Sequence, residues 1–97
     1  NPQVLLNVKE YRRKIYVMGE VQKPGAYSVQ EGLTALNACI LAGGFTSYAS
    51  PAKTRVTRME EVSQKTFIID LNDIQEGKNR DLLLKAGDRI DVPARLF

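Results

Sequence analysis

A chain of 97 residues with 43% hydrophobic and 26% charged side chains has room for one hydrophobic core but not two, and it is too apolar to stay disordered. Its net charge of +3 comes from 14 basic and 11 acidic residues mixed along the sequence, the pattern of a solvated surface rather than of a nucleic-acid-binding tail. The absence of histidine, the single cysteine and the lack of any apolar run near ~20 residues argue against a histidine base, an internal disulfide, a cysteine-built metal site and a membrane-spanning helix.

The whole chain therefore reads as one soluble domain, 1–97. Its start at Asn1 rather than at methionine suggests a mature product or a piece of something longer, with any targeting segment lying elsewhere. From Gln3 to Tyr11, Val4, Leu6 and Val8 alternate with more polar neighbours, which predicts an opening strand or a junction to an upstream segment. The basic triplet Arg12-Arg13-Lys14 interrupts it. A second alternation follows, with Ile15, Val17, Gly19 and Val21 on one face and Tyr16, Met18 and Glu20 on the other. Gln22-Lys23-Pro24-Gly25 predicts a type II turn: Pro24 presets a negative φ and Gly25 accepts a positive one. Lys14–Val21 and Ala26–Val29 are then the arms of a hairpin.

Thr34 is a suitable N-cap, so a helix is expected from Ala35. Leu36, Cys39, Ile40 and Gly43 recur at helical spacing and predict its buried stripe, while Ala35, Ala38, Cys39 and Ala42 are small enough to let it lie close to a sheet. Gly43-Gly44 supplies the left-handed residue that ends such a helix. Ser47 to Lys53 reads as loop, and Arg55–Met59 and Thr66–Asp70 as two strands joined through Glu60–Lys65. Asp70 to Ile74 predicts one helical turn before Gly77. Asp81–Leu84 leads to a turn at Lys85-Ala86-Gly87-Asp88, and the last strand, Arg89–Val92, is stopped by Pro93. Strands bracketing one helix predict an α+β domain, a β-grasp-like sheet with one helix packed on one face.

The chemistry of the residues favours binding over catalysis. Without histidine, catalysis would fall to the carboxylate pairs Asp70/Asp73 or Asp88/Asp91, which work as acid and base only in a cleft that separates their pKa values. Asp88 follows Gly87 in a turn, where its side chain is expected to bind nearby backbone N–H groups. Asp70 to Asp73 lacks the glycine and distal glutamate of a calcium loop, and Gly43-Gly44 closes a helix instead of opening one, as a phosphate loop would. Cys39, on the apolar stripe, reads as a core thiol. No catalytic residue, metal or cofactor is expected.

Two groups remain as ligand or interface candidates. Arg12, Arg13 and Lys14, with Lys53, Arg55 and Arg58 farther on, hold phosphates or acidic sugars if the fold unites them; otherwise they protect solvated strand edges. Tyr16, Tyr27 and Tyr48 either stack on sugars or fill a subunit contact, or else pack half-buried on the sheet.

The segments Val17-Met18-Gly19-Glu20-Val21, Lys23-Pro24-Gly25-Ala26-Tyr27, Leu33-Thr34-Ala35-Leu36, Ala42-Gly43-Gly44-Phe45-Thr46 and Lys85 to Pro93 together resemble the soluble-ligand-binding β-grasp (SLBB) domain of bacterial polysaccharide export proteins. Five blocks in order span nearly the whole chain. The resemblance implies a non-enzymatic periplasmic module of an outer-membrane exporter of capsule or exopolysaccharide. Such a module works in a homo-oligomer, with polysaccharide and other export components as further partners, no nucleic acid, and membrane contact only through segments outside this sequence. The same resemblance leaves open a small-molecule or cofactor-binding β-grasp module of another system.

Overall fold

The computed structural model describes residues 13–95. The opening strand expected from Gln3 to Tyr11, and Arg12, lie outside them. The described elements are β1 (Lys14–Gly19), β2 (Gly25–Ser28), α1 (Ala35–Leu41), a 3₁₀ turn (Pro51–Lys53), β3 (Thr54–Met59), β4 (Gln64–Ile69), α2 (Leu71–Gln75) and β5 (Arg89–Val92). They form one mixed sheet in the order β2-β1-β5-β3-β4. The antiparallel pairs β1/β2 and β3/β4 are joined at the centre by β5, which runs parallel to β1 and antiparallel to β3. This is the expected α+β, β-grasp-like arrangement: a five-stranded sheet, one main helix and a small second one.

Period-two alternation decides what is buried. Ile15, Val17, Val56, Ile90 and Val92 share one face of the sheet and are wholly inaccessible, as are Ala35, Ala38, Cys39 and Ala42 of the covering helix region. The expected stripe of Leu36, Cys39, Ile40 and Gly43 is corrected here: Cys39 is buried and Leu36 partly so, but Ile40 is 61% exposed. The reason is one of volume. The β-branched residues of the strands already fill the space above the sheet, so the helix comes close only along its row of alanines.

Both ends of α1 are capped as the residue types require. The Asn37 N–H donates to Thr34 Oγ1 (3.4 Å), and the Leu36 N–H to Asp81 Oδ1 (3.3 Å). At the other end the Gly43 N–H reaches the Ile40 carbonyl (3.0 Å) and the Gly44 N–H the Cys39 carbonyl (2.9 Å), a Schellman closure. Asp70 caps α2 in the same way as Thr34 caps α1, accepting from the Asp73 N–H at 3.0 Å.

The connection from β1 to β2 is not the expected type II turn. Gly25 has φ +156°, where such a turn needs about +80°. The reason lies in the partners that tertiary structure offers. The Gln22 N–H donates to the Gly44 carbonyl (3.0 Å), the Lys23 N–H to the Ala42 carbonyl (2.7 Å), and Val21 bridges Phe45. The reversal is thus stitched to the end of α1 rather than closed on itself, and β1 stops at Gly19, not Val21. At Gly19, with φ +88°, a Cβ would collide with the Val92 carbonyl oxygen, which accepts the Glu20 N–H (2.8 Å). Glycine there lets β5 pair with β1 to its last residue.

The segment from Asp81 to Leu84 joins no strand of the sheet. It braces the start of α1 instead, with the Ala35 N–H donating to the Leu82 carbonyl (2.9 Å) and the Leu84 N–H to the Leu33 carbonyl (2.9 Å). No helix among the described residues is long and apolar enough to cross a membrane.

Candidate functional site

The side chains opposite the helix stand on a sheet face that no other described element covers. Register places Ala26, Tyr16, Arg89, Thr57 and Thr66 side by side across the five strands, with Met18, Asp91, Arg55 and Ile68 in the next row. Tyr16, Met18, Met59 and Ile68 are all exposed on this face. Between them runs a shallow groove of about 380 Å³, lined by Tyr16, Met18, Thr57, Met59, Gln64, Gly87 and Arg89. A smaller depression of about 260 Å³ continues from Tyr16 and Met18 toward Pro24, Gly25 and Ala26.

Two physical features shape the groove. Gly87, with φ +90°, holds the left-handed conformation of the turn before β5, and a Cβ there would meet open space. Its missing side chain deepens the floor between β1 and β3. Arg89 lies directly opposite Tyr16, and its guanidinium is oriented by Asp91 (Nη2 to Oδ2, 3.4 Å) with both side chains about half exposed. That ion pair is exposed enough to contribute little to stability, so it positions charge more than it holds the fold.

The basic candidates are not united. Arg13 and Lys14 line a separate hollow of about 380 Å³ with Ser28 and Val29, at the start of β1. Arg55 pairs across the sheet with Asp91, level with Met18, and Lys53 ends the 3₁₀ turn just before β3. These positions lie at the far end of β1 from Lys14, four residues along the strand or roughly 13 Å.

Arg58 belongs to neither group because the alternation of β3 turns it to the covered side. Its Nε and Nη2 donate to Asp88 Oδ1 (3.1 Å) and Oδ2 (2.8 Å), its Nη2 also reaches the Leu83 carbonyl (3.0 Å), and its guanidinium lies 5.2 Å from the centroid of Phe67. Asp88 is fully buried, and its Oδ2 also accepts the Lys85 N–H (2.8 Å), the turn bond expected of it. The hydrogen bond to Asp88 raises the Arg58 pKa above its ordinary value, against the opposing pull of partial burial. A bidentate pair enclosed in this way serves the fold. It also takes Asp88 away from Asp91, which points to the opposite face.

The tyrosines divide similarly. Tyr16 is on the open face. Tyr27 is partly buried against the core, and its hydroxyl donates to the Lys23 carbonyl, fixing the β1–β2 connection. Tyr48 is 70% exposed in the loop after α1 and does not line the groove. Burial, and secondarily the charge of Asp81, pushes the Cys39 thiol up to about 12, so it stays protonated and is no nucleophile. No group of three or more metal-ligating side chains occurs among the described residues.

Arg89, Thr57, Gln64, Met18 and Met59 were not among the residues singled out from sequence. The alternation of β1 did place Met18 beside Tyr16 on one face. Nothing local signals that β5 and β3 bring Arg89 and Thr57 alongside, because that pairing joins segments far apart in the chain.

No curated protein is similar enough to match the chain. A family model for the SLBB domain, however, matches residues 13–92, from the residue before β1 to the end of β5. With this match covering most of its length and all five strands of the sheet, the chain belongs to the SLBB domain family.

Proposed function

We propose that this domain is a periplasmic module of a polysaccharide export protein, of the kind that carries capsule or exopolysaccharide through an outer-membrane-associated assembly. Its work is subunit packing in a homo-oligomer, with contact to the passing glycan, and no catalysis. Membership of the SLBB family supports the export context. The observation that carries the packing role is the outward side of α1, where Ile40 and Leu41 stand in consecutive positions with 61% and 56% of their surfaces exposed. These two large aliphatic side chains lie outside the domain's own core. Covering them with a second copy removes apolar surface from water, at about 25 cal/mol per Å².

Light scattering of the complete protein, extracted in detergent from cells that produce it, tests this directly. A ring-sized or other self-associated particle is expected, and Ile40→Asp with Leu41→Asp should shift it toward smaller species while circular dichroism stays unchanged. A complete protein that remains monomeric would overturn the reading.

A further inference from the structure

We propose that the groove on the open sheet face is a binding site for an acidic sugar, a pyranose ring bearing a carboxylate. This rests on the glycan-contact part of the function above and assigns it a place and a chemistry. The parts a uronic acid residue requires lie together. The partly exposed ring of Tyr16 offers a flat apolar surface for the C–H face of a pyranose, and the thioether side chains of Met18 and Met59 extend that surface on either side. Thr57 and Gln64 supply a hydroxyl and an amide for sugar hydroxyls.

Charge selects the acid. On the open face, Arg89 lines the groove and Arg55 stands one row away, two cations against the single carboxylate of Asp91 between them. Asp91 engages Nη2 of Arg89, and the guanidinium has five N–H donors, so others are left for an incoming carboxylate next to the Tyr16 ring. Gly87, which has no side chain, forms part of the groove's lining, and a Cβ built there meets open space. The opening is shallow and continues past Tyr16 toward Gly25, which suits one or two units of a chain in transit more than an enclosed small molecule. The Arg13/Lys14 hollow has charge but no aromatic surface, and so lacks half of what the sugar needs.

The test is a titration of the isotope-labelled 97-residue chain, followed by amide chemical shifts, with oligomers of galacturonic acid and in parallel with neutral maltohexaose. Saturable, weak binding of the acidic oligomer is expected, with shifts centred on Tyr16, Thr57 and Arg89 and none from the neutral one. Arg89→Gln and Tyr16→Val should each weaken it about tenfold without altering the rest of the spectrum. An unmoved spectrum, equal responses to both sugars, or shifts centred on Arg13 and Lys14 would overturn the assignment. So would shifts of the same face on diluting the chain alone, which would mean that a second copy covers it. Assembly is read separately by light scattering, so a silent groove in a protein that still oligomerises removes this site and leaves the packing role standing.

Discussion

The two faces of the sheet are made by the same strands and share the same alternation, yet they have opposite fates. On one, Ile15, Val17, Val56, Ile90 and Val92 have no accessible surface and Asp88 is enclosed by Arg58. On the other, Tyr16, Met18, Met59 and Ile68 keep between 39% and 72% of theirs, and Asp91 and Arg89 meet in water. Residue type does not separate the faces, since both carry large apolar side chains and an arginine–carboxylate pair. The difference is cover: α1, with its row of alanines, closes one side and leaves the other as free surface. Stability should therefore reside on the covered face and recognition on the open one.

Matched substitutions on the two faces put that division at risk. The largest contrast is expected between the two carboxylates. Asp88→Ala strands a mostly buried guanidinium and an unpaired Lys85 N–H, at about 4 kcal/mol by analogy with other broken buried pairs. Asp91→Ala should stay within about 0.5 kcal/mol. Urea unfolding followed by circular dichroism measures both, and equal losses would mean that the open-face pair also holds the fold.

The isoleucines come next. Ile90→Ala opens a cavity in the core and should cost about 3 kcal/mol, while Ile68→Ala, at a position 72% exposed, should cost under about 1 kcal/mol. A large loss at Ile68 would show that something covers the open face in solution.

The smallest effect near neutral pH belongs to Cys39. Its thiol is held protonated in the folded state up to about 12, above its ordinary value near 9. Below pH 9 the thiol is protonated whether the chain is folded or not, and it adds no pH dependence. From 9 toward 12 the unfolded chain releases the proton first, so stability falls across that window. In the native protein at pH 8, iodoacetamide should leave Cys39 unmodified, and urea should expose it to full reaction.

Much of the architecture was legible in the residues themselves. Thr34 and Gly43-Gly44 delimited α1, Asp70 marked α2, and Arg89–Val92 emerged as a strand with the predicted bounds. These succeed because caps and alternation are short-range: the group that satisfies a free N–H lies within a few residues of it. The misreadings came where a local rule met a remote partner. Pro24-Gly25 has the composition of a tight turn, but the carbonyls at the end of α1 captured the N–H groups of Gln22 and Lys23. Ile40 lies at helical spacing from Leu36 and Gly43, but the bulk of the strands left room only for the small side chains of the helix.

The candidate site divides along the same line. Tyr16 was visible on the face of its strand opposite Ile15 and Val17, and Arg55 only as one of a basic group with no face assigned, whereas Arg58 and Tyr27, equally suggestive in composition, turn toward the core. By itself the sequence determined which residues alternate, where the helices begin and end, and that the chain carries the pattern of an SLBB domain. Tertiary structure decided which alternating face is covered, that Arg58 encloses Asp88, and that Arg89 stands beside Tyr16. Those outcomes depend on β5 pairing with both β1 and β3, which is set by the path of the chain around one core and has no counterpart in the spacing of neighbouring residues.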